Sequence, residues 1–193
     1  MEQNPANKIN DVWGVDISYI KLRSGFLYFV ALIDLVSRKI MGWNLSPFLE
    51  TENCLEAFEK AIKIARPRII NSDQGCQFTS SDWVWKMVQH RIEISMNSKG
   101  RCIDNIHIER FWRSIKYEEI YLKSYDNVGE AKNEIGKYIE FYNNIRPHQS
   151  LGYRTPNQID EAEKAVDSVD NSLSYPPEPQ ANQQQDILFV NSS

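Results

Sequence analysis

The chain has 193 residues, 41% of them hydrophobic, with 22 basic and 26 acidic side chains for a formal net charge of −4. That length suits one domain and that composition supports a core, which excludes wholesale disorder, and no apolar run approaches the ~20 residues of a membrane-spanning helix. The acidity is local: residues 158–193 carry a net −6, which leaves +2 on residues 1–157, a weak footprint for a nucleic-acid partner.

Residues 1–10 form a polar lead-in without the apolar stretch of a signal peptide. The three cysteines (Cys54, Cys76 and Cys102) are odd in number and lack Cys-x-x-Cys spacing. That points to a reducing, cytoplasmic setting and away from a zinc site, and Cys76 and Cys102 are expected to be packing residues.

Residues 12–20 are β-rich and predict a strand, with Asp16 inside it. Residues 26–35 are almost continuously apolar, as in a strand buried on both faces. Residues 39–45 complete an antiparallel meander. Leu55, Phe58, Ile62 and Ala65 recur at helical spacing within 51–65, and Pro67 ends that helix. A short strand over 68–71 leads to Asp73. Thr79-Ser80-Ser81-Asp82 has capping-box character and opens a helix to about 90. A fifth strand follows at 91–96, then a polar loop at 97–101, then helices near 103–121 and 127–144, the last ended by Pro147. A meander followed by alternating strands and helices implies an α/β domain with a five-stranded mixed sheet and helices on both faces.

Residues 11–158 therefore read as the core with a C-terminal helical extension. Residues 159–193, acidic and rich in Gln and Pro, read as a disordered tail.

Three carboxylates stand out. Asp16 lies between Val15 and Ile17, where burial is costly unless the group is paired or ligates a metal; an edge strand with an exposed Asp is the plain alternative. Asp73 follows a strand and precedes Gln74-Gly75, which is also a common turn. Glu109 shares a helical stripe with Asn105, Arg113 and Lys116, the pattern of an ordinary solvated face with ion pairs. Together, carboxylates from three separate elements suit Mg²⁺, which takes oxygen ligands. The five tryptophans are expected to be core or half-buried packing, and His107 lies on a different helical face from Glu109.

The joint pattern resembles a known family. Asp16 in a strand, Ser72-Asp73-Gln74-Gly75-x-Gln77-Phe78-Thr79-Ser80, and Glu109 with 35 residues between it and Asp73 resemble the DDE integrase core shared by retroviral integrases and insertion-sequence transposases. Ile33-Asp34-x-x-Ser37-Arg38-Lys39-Ile40-x-Gly42-Trp43, Met96-Asn97-x-Lys99-Gly100-x-Cys102-x-Asp104-Asn105 and Phe141-Tyr142-Asn143-x-x-Arg146-Pro147-His148-x-x-Leu151-Gly152-Tyr153-x-x-Pro156 resemble the insertion-sequence branch. The resemblance covers roughly 11–158.

It implies an RNase H-like fold in which Asp16, Asp73 and Glu109 are the catalytic residues and hold two Mg²⁺ or Mn²⁺ ions. It implies metal-dependent cleavage and strand transfer of DNA, with a homo-oligomer joining two ends. Lys99, Arg101, Asn105, Arg113 and Lys116 are the expected DNA contacts. Two features depart from the family: Arg110 stands where many relatives carry Ser, and Asn71 where many carry His. No helix-turn-helix fits in residues 1–10, so recognition of DNA ends is expected from a partner chain or an upstream domain. The same carboxylates would also serve an RNase H-type nuclease that cuts without joining, and a non-catalytic DNA-binding subunit is the reading of a different class.

Overall fold

The computed structural model describes residues 8–23, 25–96 and 106–173, with side chains through Val166. Five strands form one sheet: β1 (Val12–Leu22), β2 (Gly25–Asp34), β3 (Ile40–Ser46), β4 (Ile69–Ser72) and β5 (Glu93–Met96). Their order is β3-β2-β1-β4-β5. The meander β1–β2–β3 is antiparallel, and β4 and β5 add in parallel beside β1. This is the mixed sheet expected from the element order.

Alternation along the strands creates two apolar faces. On one, Trp13, Val15, Val30, Leu32 and Ile70 meet Phe58 of α1 (Thr51–Ile62) and Trp83 of α2 (Ser81–Gln89). On the other, Ile20, Leu27, Phe29 and Ile33 meet Phe111 and Ile115 of α3 (Ile106–Glu118) and Ile135 and Ile139 of α4 (Val128–Asn144). The continuous apolar run of β2 is explained by helices on both sides of it.

A bulge sets the close packing of α1. Register passes from Leu32↔Gly42 to Ile33↔Ile40, leaving Met41 as the extra residue. A Cβ on Gly42 would lie 2.3 Å from the Ala57 carbonyl oxygen, so α1 rests directly on this glycine. Across the sheet, the Asn143 side chain accepts from the Ile40 N–H at 2.9 Å and donates to the Ile40 carbonyl at 3.0 Å, pinning α4 to the start of β3.

Three expectations change. A fifth helix, α5 (Pro156–Leu173), crosses the boundary drawn at 158, so residues 159–173 are helical where composition suggested disorder. Its Asp160, counted among the tail acids, is 2% exposed and accepts from Lys39 and Lys164, each at 2.8 Å. Trp85 is 62% exposed, unlike the fully buried Trp13 and Trp83, and Cys76 is exposed where packing was expected. Cys102 lies outside the described residues, as does the remainder of the tail from 174.

Candidate active site

Strand parity places two of the three carboxylates. In the parallel pair β1–β4, Val12 faces Ile69 and Gly14 faces Asn71. Two further residues along that register, Asp73 comes abreast of Asp16. Asp16 shares parity with Ile20 and Leu22, on the face covered by α3 and α4, and Asp73 follows the last residue of β4 and is exposed. β4 ends at Ser72 and the chain turns at Asp73, whose Oδ1 accepts from the Gly75 N–H at 2.9 Å. A side chain at position 75 would crowd that same oxygen, with its Cβ at 2.9 Å, so the turn is built around glycine.

Helix α3 supplies the third carboxylate. Ile108, Phe111, Trp112 and Ile115 are buried at i, i+3, i+4 and i+7 and fix its rotation on the sheet. Glu109 stands one step around from that stripe, in the first turn, exposed. Trp112 Nε1 donates to Asp16 Oδ2 at 2.9 Å, tying α3 to β1 at the site.

The electrostatics report the gathering. Burial raises the Asp16 carboxyl above its usual range. The Trp112 and Ile17 hydrogen bonds oppose that rise, and the negative charges of Asp73 and Glu109 add to it. A carboxylate that is both desolvated and crowded by like charges is stabilised by a cation. The donor set is entirely oxygen, as Mg²⁺ or Mn²⁺ requires, and Asp16 keeps Oδ1 clear of its bond to Trp112. Among the described residues, no three acidic, His or Cys side chains close to ligand distance around one point. Asp73 and Glu109 are both exposed, so their rotamers are free to adjust.

The basic residues expected on the same stripe divide between two concavities. Arg113 lines a cavity of about 280 Å³ together with Arg38, His107, Arg110, Arg146 and His148. Lys116 lines a groove of about 600 Å³ with Tyr19, Arg23, Phe26, Tyr121 and Lys123. Arg113 and Lys116 both follow Glu109 along the helix, one and two turns further on, and they open onto different concavities. Among the described residues Lys116 makes no ion pair with Glu119, which is buried and bonded to Lys123 and Tyr125. Lys99, Arg101 and Asn105, the other expected DNA contacts, lie outside the described residues.

Sequence reading missed the tie between Trp112 and Asp16, taking Trp112 only as packing. It also missed the cluster of Arg38, Arg110 and Arg146. No periodicity signals that cluster, because its members come from three elements far apart in the chain. Their place in the Ser37-Arg38-Lys39 and Arg146-Pro147-His148 motifs was the available clue.

Comparison with known proteins bears on the family and the fold. Two family profiles, each described as integrase core domain, match residues 6–102 and 90–156. The transposase for insertion sequence element IS904 of Lactococcus lactis is 36% identical over 159 residues, covering 80% of this chain and 63% of that protein. Transposase InsF for insertion sequence IS3A of Escherichia coli is 33% identical over 159 residues, covering 80% of this chain and 55% of that protein. The chain thus spans between half and two thirds of the length of these curated relatives. The catalytic core domain of HTLV-2 integrase, solved in complex with magnesium in a dimeric form, superposes with a TM-score of 0.67 at 21% identity, covering 80% of this chain and 99% of that one. The sheet order, the helices on its two faces and the profile matches agree on an RNase H-like core, and this chain belongs to the integrase core domain family.

Proposed function

We propose that the chain is the catalytic core of an insertion-sequence transposase, cutting and joining DNA strands with a divalent metal. The observation that supports this reading is that Asp16, already destabilised as an anion by burial, also feels the negative charges of Asp73 and Glu109. Asp16, Asp73 and Glu109 would hold two Mg²⁺ or Mn²⁺ ions. When bound, such ions supply an activated water or 3′-hydroxyl and charge neutralisation at the leaving oxygen.

The chain's own residues do the rest. Trp112 fixes one Asp16 oxygen, so the carboxylate is oriented before substrate arrives. Asp73 Oδ1 accepts from the Gly75 N–H, and its exposed side chain is free to turn toward a bound cation. Arg113 and Lys116, one and two turns after Glu109 on the same helix, would contact phosphates near the scissile bond; phosphoryl transfer asks mainly for such positioning and charge. Lys99, Arg101 and Asn105 join them in the proposal on the strength of the family resemblance. Recognition of element ends is assigned to a helix-turn-helix segment or chain that works with this core, consistent with the greater length of the curated relatives. A homo-oligomer joins the two ends, a reading supported by the dimeric and trimeric forms in which the viral core domain has been solved.

The test is strand cleavage and transfer on the element's own ends, with the end-recognition component supplied. Product should require Mg²⁺ or Mn²⁺ and vanish with Asp73→Asn. Activity that persists in Asp73→Asn rejects the mechanism. Shortened strands with no covalent joining to target would identify an RNase H-type nuclease instead.

A further inference from the structure

The cavity beside Arg113 has the chemistry of an anion site. Arg38 lies in the β2–β3 turn with a left-handed backbone (φ 64°). Its Nε and Nη1 are buried with no hydrogen-bond partner. The nearby carboxylate cannot serve it: Asp34 already accepts from the Asn10, Val36 and Ser37 N–H groups and from the Ser37 hydroxyl. On the C-terminal side, Glu118 is taken by Arg146 in a two-point pair at 2.6 and 2.8 Å and by the Tyr138 hydroxyl at 2.8 Å. Among the described residues, Arg110 and Arg113 have no ion-pair partner at all. His148, 9% exposed, opens onto the same space with Nε2 unpartnered.

Guanidinium groups stay charged under ordinary conditions, so they cannot escape this crowding by losing a proton. Buried unmade hydrogen bonds and convergent positive charge are both relieved by a tetrahedral oxyanion, which accepts several N–H bonds at once. A cavity of about 280 Å³ admits one phosphate group with a few waters. Arg113, one helical turn after Glu109, is among the residues that line it.

We propose that the cavity between Arg38, Arg110, Arg113, Arg146 and His148 is a phosphate-binding pocket that seats one backbone phosphate of bound DNA. The choice of DNA over a free phosphate rests on the transposase reading above; the oxyanion chemistry does not.

The experiment uses the full chain in EDTA, so that no metal-dependent step enters. Inorganic phosphate binding is measured by calorimetry, and affinity for a DNA duplex is followed across a salt series, for the native protein, Arg38→Gln and Arg110→Gln. Arg110 is exposed on α3, so its variant reports even if Arg38→Gln fails to fold. The expected result is phosphate binding by the native protein, weakened at least about tenfold in each folded variant. Each should also flatten the slope of log affinity against log salt by about 0.9. Phosphate binding with an unchanged DNA slope would overturn the assignment to DNA and leave a site for a small phosphate ligand. No phosphate binding and no change in slope would overturn the pocket altogether. A chain that binds phosphate and DNA in this way but never cleaves would instead count against the transposase reading, so the two failures are distinct.

Discussion

Trp112 Nε1 donates a hydrogen bond to Asp16 Oδ2 at 2.9 Å, joining a helix and a strand separated by 96 positions in the chain. The indole is otherwise core, 8% exposed and edge-on to Phe29, so one side chain both seals the apolar layer and orients a candidate metal ligand. Trp112→Phe keeps most of the packing and deletes the donor. It should cost about 1–3 kcal/mol of folding stability, the worth of a hydrogen bond to a charged group. It should also weaken Mn²⁺ binding, because Asp16 loses its orientation. Urea unfolding and Mn²⁺ calorimetry on the same variant check both, and an unaltered Mn²⁺ affinity would reduce Trp112 to a packing residue.

Asp16→Asn separates function from stability. The substitution removes a partly buried charge crowded by Asp73 and Glu109 while keeping the side chain's shape. In EDTA at neutral pH the variant should be as stable as the native protein, or more so. Added Mn²⁺ should raise the melting temperature of the native protein and leave the variant where it was. A loss of more than about 1 kcal/mol in EDTA would show that Asp16 stabilises the fold without any cation.

Asp160 holds α5 to the β2–β3 turn through Lys39, a pair whose side chains are 4% and 15% exposed. Breaking a buried pair strands the remaining charge, but Lys164, half-exposed, keeps access to water. Asp160→Asn should therefore cost about 3 kcal/mol, the low end for such pairs. Burial alone would raise the Asp160 carboxyl, but the hydrogen bonds from Lys164 and Lys39 outweigh it and hold it below 3.8. Its contribution is then fully present above about pH 4 and is lost as pH falls through the depressed value. The stability difference between native and variant proteins, followed by denaturant titration from pH 7 to pH 3, should shrink over that final unit. A constant difference would mean that the ion pair is not its source.

Lys116 lines the groove of Tyr19, Phe26 and Tyr121, apart from the arginine cavity. If that groove carries DNA, Lys116→Ala should flatten the salt dependence of log affinity by about 0.9, without touching Mn²⁺ binding. Combined with Arg110→Gln the slope changes should add, since the two residues line separate concavities. An unchanged slope in Lys116→Ala would make the groove ordinary surface.

Much of the fold was written in local pattern. A β-rich segment and a continuous apolar run marked the meander, helical spacing marked α1, and Pro67 and Pro147 marked ends, because these signals act over a few residues. The carboxylates Asp16, Asp73 and Glu109 were legible by residue type, position within elements and resemblance to a family. What the chain could not declare locally was everything made by contact between remote segments. Asp160 looked like one more acid in a polar tail, yet a lysine 121 positions away makes it a buried anchor, and α5 extends through residues that composition assigned to disorder. Trp112 looked like packing alone. Arg38, Arg110 and Arg146 carry no shared periodicity, and only the β2–β3 turn, the rotation of α3 and the chain after α4 bring them to one cavity. Hydrophobic periodicity is a property of sequence neighbours, whereas charge compensation depends on which groups are left without partners once the chain has folded.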